Sequence, residues 1–334
     1  VVNNNLKEAR FYKREAVNKV RCLLCPHRCF LPNNRTGICM ARKNIDGVLY
    51  TLNYGEVTSY ALDPIEKKPL YHFYPGSQIF SIGTWGCNLK CTFCQNWTIS
   101  QQKVSAEYFE KESIVEMALS EKSIGIAYTY NEPTIWYEFV YDTAKLAKEK
   151  GLKNVLVTNG FISEEPLKEI LPLIDAMNID LKSGSESFYR EICSGQLPPV
   201  MRTIKQVFEA GVHLELTTLI IPTLNDRVDE IEEITNWIAS ISDEIPLHFS
   251  RYFPQYKMDI EPTPLNTLLS AYEIATKKLK YVYIGNVPSE TGGSNTICPK
   301  CKKELILRDI YNIKNIGLNK GVCKNCGEKI PGRF

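Results

Sequence analysis

The sequence predicts an α/β fold: a partial, TIM-like (β/α)6 barrel with a small cysteine-rich module at each end. Three observations lead there. From residue 78 onward, candidate strands at 78–84, 124–130, 153–158, 175–181, 212–220, 246–251 and 281–285 alternate with candidate helices at about 110–122, 133–149, 164–172, 185–192, 199–210, 226–240 and 265–279. Such alternation joins parallel strands through right-handed crossovers. The 334 residues exceed an ordinary single domain, and one α/β barrel with appendages accounts for them. Eleven of the twelve cysteines fall into three clusters, Cys22/25/29/39, Cys87/91/94 and Cys298/301/323/326, and the first and last lie outside the alternating region. The expected units are an N-terminal cysteine module with a connector (1–76), the α/β core (77–290) and a C-terminal module (291–334).

Local signals support the elements in order. Residues 1–20 read as a charged helix leading into the first cysteine cluster. Asp46-Gly47 and Tyr54-Gly55 mark short strands and turns over 46–60, and the turn-rich DPIEKKPLYHFYPG of 63–76 reads as a connector. Ser163 suits the N-cap of the third helix, with Pro166 in its first turn. Gly151 and Gly211 follow helical stretches as C-cap glycines do.

Composition narrows the class. A hydrophobic fraction of 44% and a charged fraction of 23% are ordinary for a globular protein and argue against disorder, collagen and coiled coil. No apolar run approaches a membrane span. Lys7, Arg10, Lys13, Arg14 and Lys19 interrupt the first twenty residues, so no signal peptide is expected there. Short C-x-x-C spacings without a secretory signal favour metal over disulfide and a reducing cytoplasm. The net charge of +2 divides unevenly: residues 1–43 carry ten Lys/Arg and two Glu, residues 296–334 carry nine Lys/Arg and three acidic residues, and the middle is left at −12. Electrostatic docking of the basic ends on the acidic centre is the first reading, and a surface for an acidic partner or nucleic acid the second.

The central cluster carries the chemistry. In Trp85-Gly86-Cys87-Asn88-Leu89-Lys90-Cys91-Thr92-Phe93-Cys94-Gln95-Asn96-Trp97, directly after the first core strand, the spacing is C-x3-C-x2-C. Strand C-termini are where functional groups collect in such arrays. Three thiolates can hold three irons of a cubane [4Fe–4S] cluster and leave the fourth without a protein ligand. A zinc knot with a distant fourth ligand is the alternative.

This segment, with Phe93 at its aromatic position, resembles the C-x3-C-x-aromatic-C motif of the radical S-adenosylmethionine (SAM) superfamily. The resemblance implies that the free iron is chelated by the SAM amino and carboxylate groups. In YTYNEPT (128–134), Glu132-Pro133 matches part of that family's Gly-Gly-Glu-Pro stretch, without its two glycines, and Asn131 and Glu132 are the candidate contacts for the SAM ammonium. Thr158-Asn159-Gly160 and Asp180-Leu181-Lys182 resemble the pyruvate formate-lyase activating enzymes. Asp180 and Lys182 share a strand face, so ribose and carboxylate contacts compete with a plain salt bridge. Thr217–Pro222 is similar to the adenine-flanking segment. Val157 stands where those activases have an Asp that helps hold a monovalent cation. Across nearly the whole chain, CLLCPHRC, EKKPLYHFYPG, GCNLKCTFCQNW, YTYNEPT and CPKC…CKNCGEKIPG resemble the radical SAM enzyme of the AmmeMemoRadiSam system. That implies partners from that system but leaves the substrate open.

The flanking clusters differ. Cys298-x2-Cys301-x21-Cys323-x2-Cys326 is a paired knuckle suited to tetrahedral zinc or rubredoxin-type iron, zinc being the first choice, in a structural role. Cys22-x2-Cys25-Pro-His-Arg-Cys29-x9-Cys39 accommodates zinc as scaffold or a second iron–sulfur cluster as electron relay, with zinc slightly favoured; His27 reads first as a surface residue and second as an alternative ligand. Cys193 reads as a buried thiol, with hydrogen-atom donation the sharper alternative. Arg251 and Tyr252 are candidate substrate contacts or ordinary loop packing. The expected activity is reductive cleavage of SAM to a 5′-deoxyadenosyl radical that modifies or activates a protein substrate, supplied with electrons by a flavodoxin or ferredoxin. The competing readings are modification of RNA or a small molecule, and a non-catalytic iron–sulfur carrier.

Overall fold

The computed structural model describes residues 6–288 and 291–334. Its centre is one eight-stranded sheet. The strands, numbered here in chain order, are β1 (Ser59–Pro64), β2 (Gln78–Gly83), β3 (Gly125–Tyr128), β4 (Lys153–Thr158), β5 (Ala176–Asp180), β6 (His213–Ile220), β7 (Leu247–Arg251) and β8 (Val282–Gly285). They lie side by side in sequence order. β2 to β8 are all parallel, while β1 is antiparallel to β2, pairing Ser59 with Gly83 and Pro64 with Gln78. The two edge strands do not pair, so the barrel is partial, as expected. Strand β1 falls within the stretch read as part of the N-terminal unit.

Seven helices cover the outer face: α1 (Lys111–Ser120), α2 (Tyr137–Glu149), α3 (Glu164–Ile170), α4 (Glu186–Glu191), α5 (Leu197–Glu209), α6 (Val228–Ile241) and α7 (Leu265–Ala275). Phe80, Ile82, Ile126, Tyr128, Leu156, Met177, Ile179 and Leu216 point outward from the sheet into the main core against these helices. Gly151 and Gly211 adopt φ of +80° and +72° at helix ends, the left-handed region where glycine carries no Cβ penalty. Ser163 occupies the N-cap of α3 without a side-chain capping bond; its N–H donates to the Leu24 carbonyl instead.

The opposite face lines the barrel interior, and its lower end is filled. Ile65, Leu70 and Phe73 of the connector pack against Ile79, Ala127, Val155 and Ala176 at the starts of the strands. Next to this plug, the buried Glu215 carboxylate accepts from the backbone N–H groups of Tyr71 (3.0 Å) and His72 (2.7 Å) and bonds His213 Nε2 (2.9 Å) and His248 Nε2 (2.7 Å). The C-terminal module closes over it: Arg308 donates to the Tyr71 carbonyl and stacks on the Tyr71 ring, and His72 Nδ1 bonds the Pro331 carbonyl. A loop that looked like a simple connector is therefore the floor of the barrel.

The first residues correct the sequence reading. Residues 1–5 of that expected helix lie outside the described residues, and the rest forms the strands Lys7–Glu8, Tyr12–Ala16 and Lys19–Cys22 rather than a charged helix. Asn18 turns the hairpin with φ +54°, and buried Val20 pairs with Leu31 of the next strand. The alternating charges belong to an exposed hairpin edge, and burial of one β-branched residue, not helical periodicity, sets the local structure. The expected Asp46-Gly47 turn joins Arg42–Ile45 to Val48–Thr51 with both residues at positive φ, the type I′ geometry of tight hairpins.

Candidate active site

The loop after β2 is positioned from three directions. Its entry is held by Asn131, whose Oδ1 accepts from Thr84 N (3.0 Å) and whose Nδ2 donates to the Gly86 carbonyl (2.8 Å). Gly86 sits at φ +95°, and a Cβ there would lie 2.5 Å from the Cys39 carbonyl oxygen, so only glycine lets the N-terminal module approach this closely. Further along, Lys90 N and Thr92 N donate to the Cys193 and Ile192 carbonyls (2.8 and 3.0 Å). These bonds fix Cys87, Cys91 and Cys94 at the upper end of the barrel, where the strands end.

There the three cysteines line a cavity of about 540 Å³ together with Phe93, Asn131, Glu132, Asn159, Asp180 and Lys182, within the range of ordinary cofactor pockets. All nine expected core-site residues thus meet in one place. Their roles differ in geometry. Asn159 Nδ2 lies 3.7 Å from Cys87 Sγ and donates to Asn88 Oδ1 (2.9 Å). The Glu132 carboxylate is buried and committed, accepting from Thr134 N (2.9 Å), Thr158 Oγ1 (2.7 Å) and Asn159 N (2.8 Å); burial raises its pKa. It ties the end of β3 to that of β4, as Asn131 ties the cysteine loop. Asp180 and Lys182 form an ion pair at 3.0 Å, with the Lys182 ammonium 5.8 Å from the Phe93 ring centre. Burial opposes the charge on Lys182, but Asp180 and the nearby Cys91 hold its pKa well above the usual lysine value.

Burial, reinforced by Glu132, pushes the Cys87 thiol well up. A hydrogen bond with the Cys193 thiol, then burial, does the same at Cys91. Metal ligation would supply the positive charge that favours their thiolate forms. Cys193 is fully buried beside Cys91. Arg251 and Tyr252 do not line the cavity: Arg251 Nε donates to the Thr263 carbonyl (2.8 Å) and the Tyr252 hydroxyl to that of Met258 (3.2 Å). Ser250, on the alternate face of β7, lines it instead.

The cavity floor holds residues whose site role sequence reasoning missed. Lys67, Lys68 and Tyr130 line it, and Asp63 bonds all three, Lys67 at 2.9 Å, Lys68 at 2.8 Å and the Tyr130 hydroxyl at 2.7 Å. The signal was in EKKPLY, where adjacent lysines precede apolar residues, but nothing local shows that Lys68 is buried. Thr217 and Leu219 of β6 complete the wall.

The C-terminal cysteines pair at 3.6 Å (Cys298–Cys326) and 3.7 Å (Cys301–Cys323). All four sulfurs lie within 4.8 Å of one another, matching the ~3.8 Å tetrahedron edge implied by a metal–sulfur bond of about 2.3 Å. The Lys303 backbone N–H draws the Cys301 thiol down to about 6.

The radical SAM superfamily pattern matches residues 81–238, spanning β2 to α6 and all nine core-site residues. The chain is 48% identical over 333 residues to an uncharacterized protein of Methanocaldococcus jannaschii, covering 97% of this chain and 99% of that one. This chain belongs to the radical SAM superfamily. Within it, a putative glycyl-radical enzyme activating enzyme of the same organism is 29% identical over 204 residues (60% of this chain, 77% of that one). The pyruvate formate-lyase-activating enzyme of Clostridium pasteurianum is 28% identical over 161 residues (47% and 67%). The fold is also shared with Streptococcus suis SuiB, solved bound to S-adenosylmethionine, with a TM-score of 0.51 and 14% identity over 66% of this chain and 53% of that one. Membership implies SAM and a [4Fe–4S] cluster, and the cavity fits both: three converging thiols, a carboxylate–ammonium pair and a volume of cofactor size.

Proposed function

We propose that this chain reductively cleaves SAM and uses the resulting carbon radical to modify or activate a protein substrate in a reducing cytoplasm, with electrons from a flavodoxin or ferredoxin. The observation that carries the reading is that Cys87, Cys91 and Cys94 share one cavity with Asn159 and the Asp180–Lys182 pair. When bound, the cluster and SAM supply one-electron cleavage of the S–C5′ bond and a hydrogen-abstracting radical.

The chain's residues do the rest. Cys87, Cys91 and Cys94 hold the iron. Lys182 is set to offset the SAM carboxylate, while Asp180 orients Lys182 and offers an acceptor to ribose hydroxyls. Asn159 fixes the Cys87 loop and the cofactor side of the cavity. Asn131 and Glu132 act one step back, bracing the loop and the strand ends. Phe93 and Leu89 exclude water from the reacting end. The relatives named as glycyl-radical and pyruvate formate-lyase activators support a protein substrate. The C-terminal quartet holds zinc, its sulfurs being spaced for a single ion.

Anaerobic reconstitution with iron, sulfide, SAM and dithionite tests the chemistry: 5′-deoxyadenosine and methionine are expected. A fully loaded protein that releases neither is an electron carrier. For the substrate, the SAM-bound enzyme is used to capture partners, and each captured protein is returned to enzyme and SAM. A mass shift or an organic radical signal on the captured protein is expected; modification of co-captured RNA alone would replace the protein by RNA.

A further inference from the structure

The N-terminal cysteines repeat the catalytic loop with its spacings reversed. Cys22, Cys25 and Cys29 span eight residues as x2 then x3, and Cys87, Cys91 and Cys94 span eight as x3 then x2. Neither set is a pair of knuckles, the usual arrangement for one tetrahedral ion. The geometry separates them from the C-terminal site in the same way. Among the described residues, Cys298/301/323/326 is the only group of three or more potential ligands whose atoms all lie within 4.8 Å. No three of the N-terminal sulfurs meet that spacing, nor do the three of the catalytic loop. A single ion pulls its sulfurs to the ~3.8 Å edge of a small tetrahedron, whereas a cubane places a tetrahedron of irons between them and spreads them. Yet the N-terminal thiols remain one group: Cys22, Cys25 and Cys39 are buried, Cys29 half-buried, and the Cys22 backbone N–H donates to the Cys29 carbonyl at 3.0 Å.

The group is also joined to the catalytic loop on both sides of Cys87. On one side, the Cys39 carbonyl packs against Gly86 so closely that a Cβ would be excluded. On the other, His27, between Cys25 and Cys29, bonds the Asn88 carbonyl through Nε2 at 2.7 Å and stacks edge-on against Phe161 at 5.0 Å. Each link reaches a residue adjacent to Cys87. A scaffold need not converge on one catalytic ligand, whereas an electron path must be short.

We propose that Cys22, Cys25, Cys29 and Cys39 ligate a [4Fe–4S] cluster that relays electrons into the catalytic site through the contacts at Gly86 and Asn88. Unlike the catalytic loop, this set has a fourth cysteine, so every iron is ligated and the cluster is suited to electron transfer. A low-potential one-electron donor of the flavodoxin or ferredoxin class reduces it from the 2+ to the 1+ state. The same electron then passes to the catalytic cluster, taking it from 2+ to 1+ while the relay returns to 2+. No bond is made and no proton moves. The relay role rests on the function proposed above; the ligation does not.

Two measurements test it. The first is metal and acid-labile sulfide in the Cys87→Ala/Cys91→Ala/Cys94→Ala chain after anaerobic reconstitution. About four iron and four sulfide per chain are expected, with a paramagnetic signal on reduction. Sulfide discriminates, because an iron ion in the C-terminal site binds none. Zinc without sulfide would overturn the ligation. The second uses Cys22→Ala/Cys25→Ala, checked to retain the catalytic cluster by its SAM-dependent spectrum. Deoxyadenosine formation driven by reduced flavodoxin should fall at least tenfold, and that driven by dithionite, a small reductant that can enter the cavity, much less. Equal rates with both reductants in variant and parent would overturn the relay. If the variant does not fold, the reductant comparison is made with His27→Leu, which removes the bond to Asn88. A parent that never cleaves SAM defeats the catalytic reading and leaves the sulfide result standing.

Discussion

Asn159 Nδ2 stands 3.7 Å from the sulfur of Cys87 while its Oδ1 accepts from Phe161 N at 2.9 Å. One side chain thus touches a candidate iron ligand and fixes its own loop. Asn159→Ala leaves Asn88 Oδ1 without its donor in a buried setting. It also removes the contact to the Cys87 sulfur, which carries charge once it ligates iron, and a hydrogen bond to a charged group is worth about 1.5–3 kcal/mol. SAM cleavage should fall roughly ten- to a hundredfold, with the cluster still assembled but its SAM-dependent spectrum altered. Normal cleavage in the variant would remove Asn159 from the site.

The Asp180–Lys182 pair makes a sharper case, because it is a salt bridge and lines the cavity at once. Lys182→Ala should weaken SAM binding about ten- to a hundredfold and leave iron content intact. Calorimetric titration of SAM into the reconstituted variant, beside a melting curve, decides. A lowered melting temperature with unchanged SAM affinity would make the pair scaffold.

Cys91→Ala should abolish SAM cleavage. Removing one of three ligands opens a second iron to solvent, while the barrel is held by contacts that do not include this sulfur. Circular dichroism should match the parent; any normal production of 5′-deoxyadenosine would sink the assignment.

Cys323→Ser should loosen residues 296–334, because metal binding supplies much of the folding energy of a small module. The catalytic loop lies at the other end of the barrel, so SAM cleavage should persist at moderate temperature. Limited proteolysis should cut the C-terminal module first. Loss of cleavage without loss of module order would contradict this separation.

Acid should destabilise the chain through the barrel floor. Burial holds the His72 pKa down at about 4, against about 6.5 when unfolded. Between those values the unfolded chain binds the extra proton, so stability is full above pH 6.5 and falls as pH drops toward 4, by up to about 3 kcal/mol. Glu215, held well below the usual carboxylate range by His213 and His248 against the cost of burial, adds a loss of the same sign below its unfolded pKa. The melting temperature should drop between pH 7 and 5, and His72→Gln should flatten the slope. An unchanged slope would exclude His72 as its source.

The parallel strands were legible because most are short apolar runs bounded by turn signals, and two of the helices, Tyr137–Glu149 and Leu197–Glu209, end just before Gly151 and Gly211 at positive φ. The site was legible because C-x3-C-x2-C, Glu132, Asn159, Asp180 and Lys182 all sit at strand ends, where parallel topology gathers them. What was hidden depends on distance in sequence. Ser59–Pro64 looks like a turn region until Gln78–Gly83 pairs with it. Three of the four histidines converge around Glu215 and its neighbours from residues 72, 213 and 248, with no local pattern to announce it. Lys68 is buried because Asp63 and the ring of Tyr130 enclose its ammonium, and a charge run alone reads as solvated.

The barrel is plugged below by Ile65, Leu70 and Phe73 and covered there by the C-terminal module, so among the described residues the cavity opens away from that end. On the function proposed above, methionine and deoxyadenosine would leave on the same side from which a substrate arrives. A large partner seated over the mouth therefore traps the spent fragments beneath it. Turnover on such a partner would then be paced by its departure, one cleavage per docking event, whereas a small molecule that leaves the opening clear would permit repeated cycles.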